Sequence, residues 1–224
     1  MEKDVKVECI GGENAAGIGG KEGKYTWPDE RSSCENLWFG SQEATLWSGE
    51  IVARGGFNGA GIGGGKDCGV KQLHFYSGTV SATGGHMGAG IGGGYCGTAE
   101  YIYIVGGTVR AYSGNCGAGI GSGGFEDQQT GAQHIFISGG DVRADGGPMG
   151  AGIGGGKEAH AFDIQLTGGK VFTQGVWGAG IGGGSHGLGE DILVMDTWLD
   201  ALASPAFENK ALPAAAVGRG TELE

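Results

Sequence analysis

The sequence predicts an all-β fold, a right-handed parallel β-helix (solenoid) of about six three-strand coils with a C-terminal cap. Three observations carry that expectation. GAGIGGG occurs at Gly59–Gly65, Gly88–Gly94, Gly150–Gly156 and Gly178–Gly184, with a near match at Gly117–Gly123 and a degenerate form at Ala15–Gly20. Other apolar columns keep register with this motif. Inside each unit apolar residues recur every second position, the period of a strand with one buried face.

The motif isoleucines Ile18, Ile62, Ile91, Ile120, Ile153 and Ile181 are 44, 29, 29, 33 and 28 residues apart. Most of these intervals are too short for a propeller blade, which needs about 40 to 45 residues. Each unit opens with an apolar pair two apart: Ala44/Leu46, Leu73/Phe75, Ile102/Ile104, Ile135/Ile137, Ile164/Leu166 and finally Ile192/Val194. A second segment follows, with Val7, Ile51, Val80, Val109, Val142 and Val171 each two residues before Cys9, Ala53, Ala82, Ala111, Ala144 and Thr173. The AGI of the motif is the third segment. Gly-Gly or Ser-Gly corners separate them, so three short strands make one coil and like residues stack at about 4.8 Å. Parallel crossovers are nearly always right-handed, which sets the expected hand.

Within GAGIGGG, alanine and isoleucine are expected to point inward. The alternate glycines would point outward and leave a bare backbone wall, and the final glycines would supply positive φ at the corner. Before each motif Asn14, Asn58, Met87, Cys116, Met149 and Trp177 form a structural ladder in which Asn14 and Asn58 can bond along the stack. After Val194 the repeat stops. Asp196 or Thr197 is expected to cap a short helix laying Trp198, Leu199 and Leu202 over the last coil. The division is therefore repeats over 1–195, with an insertion at 21–43, and a cap or tail over 196–224.

Composition narrows the function. Of 224 residues 55 are glycine and only 4 proline, without a Gly-X-Y period, which excludes collagen. A net charge of −11 leaves no basic stripe for nucleic acid or an anionic membrane. No run of 18 apolar residues predicts a membrane span. The first residues are too polar for a signal peptide, so a cytosolic chain and a piece of a longer secreted protein both fit. The five cysteines lack CxxC spacing; Cys68 and Cys96 could pair or stay free. Cys68, Cys96, His160 and His186 share one corner but fall in different coils, too spread for one tetrahedral metal site. No metal and no cofactor is expected.

The insertion carries Tyr25, Trp27, Trp38 and Phe39 on a polar stretch, and the strand that follows that corner turns Trp47, His74, Tyr76, Tyr103 and Phe136 outward. Flat rings on a rigid sheet suit the apolar faces of sugars. Trp27, Trp38, Trp47, His74, Tyr76, Tyr103 and Phe136 are accordingly the candidate ligand-binding residues for a non-catalytic glycan-binding or adhesion module. Two alternatives stand beside it. Asp141 and Asp145, with Arg143 and Arg110, could serve a polysaccharide lyase or glycoside hydrolase. The glycine wall could pair with another protein chain.

The units IYIVGGTVRAYSGNCGAGIGSG, LHFYSGTVSATGGHMGAGIGGG and IFISGGDVRADGGPMGAGIGGG resemble the ITISGGTVTATGG…GAGIGGG arrays of large surface proteins of anaerobic Gram-positive bacteria. The resemblance covers roughly residues 44 to 195. Such arrays are often described as carbohydrate-binding or adhesin-like, so it implies a glycan partner and an extracellular or cell-surface location. It carries no catalytic signature.

Overall fold

The computed structural model describes residues 5–23, 25–26, 30–40, 49–125, 129–203 and 215–220. Every regular element among them is a strand, and the strands form three sheets whose neighbours, one hairpin apart, run parallel. The first sheet stacks Lys6–Ile10, Glu50–Arg54, Thr79–Thr83, Thr108–Tyr112, Asp141–Asp145, Lys170–Gly175 and Trp198–Ala203 in chain order. The second stacks Glu30–Phe39, Cys68–Phe75, Ala99–Ile104, Gln129–Ile137, Ala159–Leu166 and Gly189–Val194, with Tyr25–Thr26 antiparallel at its edge. The third consists of two-residue Ile-Gly strands, one from each motif, ending with Val217–Gly218. The predicted parallel β-solenoid is the fold.

The inward columns make one continuous core. Ile62, Ile91, Ile120, Ile153 and Ile181 are fully buried from one sheet, and Ala53, Ala82, Ala111 and Ala144 from the next. Leu73, Ile102, Ile135 and Ile164 complete the layer from the third. Buried polar side chains find partners: in the alanine column the Thr173 hydroxyl donates to Gly180 O at 2.5 Å, and at a corner Ser122 Oγ accepts from Gly156 N–H at 2.9 Å. The Asn ladder also forms, with Asn58 Nδ2 donating to Asn14 Oδ1 at 2.8 Å.

Three expectations need correction. The motif is a folded corner, and its glycines do not form a bare outer wall. In all five motifs every residue from the first glycine to the last is buried. Ala89 N–H donates to Gly93 O at 2.9 Å, closing the bend, while Gly90, Ile91 and Gly93 donate to carbonyls of the next coil. A Cβ on Gly90 would run into the backbone of Tyr112 and Gly119, so the alternate glycines serve close approach between coils and leave no exposed glycine face for a partner. The positive φ lies at the glycine after each isoleucine, as at Gly63 and Gly92 (130° and 135°).

The second correction concerns the insertion. Glu30–Phe39 is a ten-residue strand, and Leu37 and Phe39 hold the register with Leu73 and Phe75. Ala44 and Leu46, expected there, lie outside the described residues. Thirdly, the cap is not a helix: Trp198–Ala203 pairs with Lys170–Gly175 and Val217–Gly218 with Ile181–Gly182, so the chain builds one more coil than the motif count predicts. The alternative left open for Cys68 and Cys96 is decided as well: Cys68 is buried, Cys96 adopts left-handed backbone in the same column as Asp67, Glu158 and His186, and none of the five cysteines forms a disulfide.

Candidate functional site

The second sheet carries an irregularity in every coil, and this feature builds the site. Between two inward residues there are two outward ones in place of one, as in Ala99-Glu100-Tyr101-Ile102, where Ala99 and Ile102 are fully buried. The second of the two takes left-handed backbone in all six strands: Asn36, Gln72, Tyr101, His134, Asp163 and Asp191, with φ of 52° to 61°. This bulge repeats in register in every coil, each extra residue standing over another and not opposite a regular partner, and it turns an extra side chain outward. Asn, Asp and His tolerate this conformation more readily than other side chains, whereas tyrosine and glutamine adopt it at some cost.

The outward residue after the bulge forms the expected strip. Trp38, His74, Tyr103 and Phe136 occupy equivalent positions on successive coils. Trp38 meets the His74 ring edge to face at 5.6 Å, and His74 stacks on Tyr103 at 4.7 Å and Tyr103 on Phe136 at 5.2 Å. Tyr76 stacks beside His74 at 5.9 Å, its hydroxyl 3.3 Å from His74 Nδ1. Burial alone lowers the His74 pKa below the ordinary imidazole value. Trp27 and Trp47 lie outside the described residues.

The bulge column adds a second strip that residue periodicity had missed. Tyr101 stacks on His134 at 4.6 Å, and His134 meets Phe162 edge to face at 5.7 Å. His134 Nδ1–H donates to Asp163 Oδ2 at 2.6 Å, and Gln165 Nε2 donates to Asp163 Oδ1 at 2.7 Å. These bonds, Gln165 first, hold the Asp163 carboxyl below its ordinary pKa against a smaller opposing effect of burial. The double ladder therefore ends in an anion fixed from both sides.

Ring geometry changes the expected mode of recognition. Nearly parallel rings only 4.6 to 5.2 Å apart overlap one another, because coplanar rings lying side by side on the sheet could not approach so closely. The ladder thus spends much of its ring faces on itself and turns ring edges, hydroxyls and ring nitrogens outward. Trp38, 66% exposed at one end, keeps the most open surface.

The carboxylates proposed for catalysis are separately neutralised. Asp141 pairs with Arg110 at 3.0 Å and Asp145 with Arg143 at 2.9 Å. They also stand four residues apart on one strand, about 13 Å, beyond the separation of about 5 to 9.5 Å that paired carboxylates use in sugar hydrolysis. Asp163 and Asp191 are one coil apart in the bulge column, but Asp163 already accepts at both oxygens and is held ionised, which suits an anchor and not a proton donor. Among the described residues no three His, Cys, Asp or Glu side chains converge as a metal site.

Beyond the end of the ladder a half-open cavity of about 170 Å³ is lined by His160, Ala161, Phe162, Leu188 and Glu190. Leu188 N–H donates to His160 Nδ1 at 2.8 Å, which leaves the ring proton of neutral His160 on Nε2.

No curated protein and no solved structure matches the chain. A family model described as Beta helix repeat matches residues 45–66, 76–95, 102–124, 137–157 and 164–185, one stretch for each of five successive coils. The chain is a parallel β-solenoid, and five of its coils match a beta helix repeat.

Proposed function

We propose that this solenoid is a non-catalytic glycan-binding module, of the kind used in adhesion at a cell surface, and that its ligand lies along the bulged sheet. The observation that carries this reading is the double aromatic ladder confined to that face, ending in the fixed Asp163–His134–Gln165 cluster. A polysaccharide running along the axis meets a similar outward group at every coil, about every 4.8 Å. Ring edges and tyrosine hydroxyls offer hydrogen bonds to sugar hydroxyls, and Trp38 offers a ring face.

The charge on this face narrows the ligand. Among the described residues Glu35, Glu100, Asp163, Glu190 and Asp191 face outward against a single lysine, Lys71, which already lies 3.8 Å from Glu100. Such a face repels uronates and sulfated chains and leaves neutral or amine-bearing glycans as ligands.

The test is a binding screen of the purified chain against soluble polysaccharides, each mixture also assayed for new reducing ends and unsaturated products. Binding without product supports the reading, with neutral chains ahead of polygalacturonate. Product formation would replace it with catalysis, and the absence of any binding would remove it.

A further inference from the structure

The cavity beyond the ladder contains the three things needed by one small functional group. Leu188 and Phe162 supply apolar walls, His160 supplies a donor at Nε2, and Glu190 supplies an anionic acceptor. An acetamido group presents the complement: a methyl to bury, a carbonyl that accepts and an N–H that donates. A plain sugar hydroxyl has no methyl to fill an apolar wall, and a free ammonium would lose its hydration against one.

The cavity is also placed to act together with the ladder. Phe162 forms its wall while touching His134 edge to face at 5.7 Å, so a chain lying along Tyr101 and His134 continues directly into it. Glu190 follows Phe162 on the next coil of the same outward column. Leu188, at the pocket's apolar lip, is 37% exposed.

We infer that the cavity formed by His160, Phe162, Leu188 and Glu190 is an acetamido subsite, which makes glycans containing N-acetylhexosamine the preferred ligand class. This rests on the glycan-binding reading of the adjacent ladder. The His160 Nε2–H donates to the acetamido carbonyl, the Glu190 carboxylate accepts its N–H, and the methyl packs on Leu188 and Phe162. No bond is made or broken.

The experiment compares three oligosaccharides of equal length by calorimetric titration: a β-1,4-linked N-acetylglucosamine oligomer, the same oligomer without its acetyl groups, and a β-1,4-linked glucose oligomer. The expected result is binding of the acetylated oligomer at least about tenfold tighter than the other two, the worth of one to two net hydrogen bonds. Glu190→Ala and His160→Ala should each reduce that preference while the variant remains folded by circular dichroism. Equal affinity for all three would overturn the acetamido subsite and leave the ladder as a glycan site. Tighter binding of the de-acetylated oligomer would overturn it in favour of recognition by the acidic face. Binding of none of the three, nor of any glycan in the screen, would overturn the parent reading as well.

Discussion

Replacing Gly92 with alanine tests why the motif needs its glycines. Gly92 has φ of 135°, a region that only glycine enters freely, and its added Cβ would meet the carbonyl oxygen of Gly121 in the next coil. That oxygen already accepts from Gly93 N–H at 2.9 Å, so the new methyl attacks both the local conformation and an inter-coil bond. The conformation costs about 1 to 3 kcal/mol and a buried backbone group that loses its partner about the same again. A total of about 2 to 6 kcal/mol corresponds to a fall in Tm of roughly 4 to 24 °C for a chain of this size. Gly12 is the control, because a Cβ there meets nothing within 4 Å and its φ is ordinary. Gly12→Ala should leave stability unchanged or raise it by up to about 1 kcal/mol. Thermal unfolding followed by circular dichroism reads both, and equal melting of Gly92→Ala and Gly12→Ala would refute the reasoning.

Four further outcomes are expected. Tyr103→Ala removes stacking on both His74 and Phe136 and should cost about 1 to 3 kcal/mol by denaturant titration, whereas Tyr103→Phe should cost a small fraction of that. Asp163 has a folded pKa below its ordinary value of 3.8, so its bonds stabilise the protein above that value and are lost as pH falls through the lower folded pKa. The stability advantage over Asp163→Asn should therefore be flat at neutral pH and shrink in acid below the ordinary carboxylate range. His74, whose pKa burial depresses, should be mostly neutral at pH 6.5 in an NMR titration of its ring; the unfolded chain then takes up that proton more readily, so His74 subtracts stability as pH falls through 6.5. Finally, a thiol count in denaturant without reductant should find all five cysteines, and in the native protein Cys68 and Cys116 should label slowest, since both are buried and burial raises their thiol pKa values.

The solenoid was legible because stacking imposes the same residue class at the same position in each coil. The isoleucine, valine and alanine columns mark all three sheets. The extra coil at the end had a signal too: AAAVGRG, ending at Gly220, follows the pattern of GAGIGGG with valine for isoleucine, but it stands far from Ile181 and lacks most of the glycines. The bulge was likewise written in the spacing. Cys34-x-x-Leu37-x-Phe39, Val70-x-x-Leu73-x-Phe75, Ala99-x-x-Ile102-x-Ile104 and Ala132-x-x-Ile135-x-Ile137 each contain one step of three before the step of two. Reading only the terminal IxI hides Tyr101 and His134, the second half of the ladder. It also misplaces Trp38 in a loop, although ENLWF fits the strand pattern better than the Ala44/Leu46 pair.

Two features were not legible. Whether glycines form an outer wall or an internal contact depends on how tightly the motif folds back, which the Ala-to-glycine carbonyl bond decides. Whether aromatic side chains lie flat or stack on one another depends on their rotamers, and the 4.7 Å separation of His74 and Tyr103 settles that in favour of stacking. Neither follows from period-two patterning.

The central claim, that the double ladder holds a glycan, is tested most directly by calorimetric titration of the tightest-binding oligosaccharide into the native chain and into Tyr101→Ala/Phe136→Ala. The account predicts that the double variant remains folded by circular dichroism and loses at least about tenfold in affinity, with each ring's contact contributing. A folded double variant with unchanged affinity would contradict it.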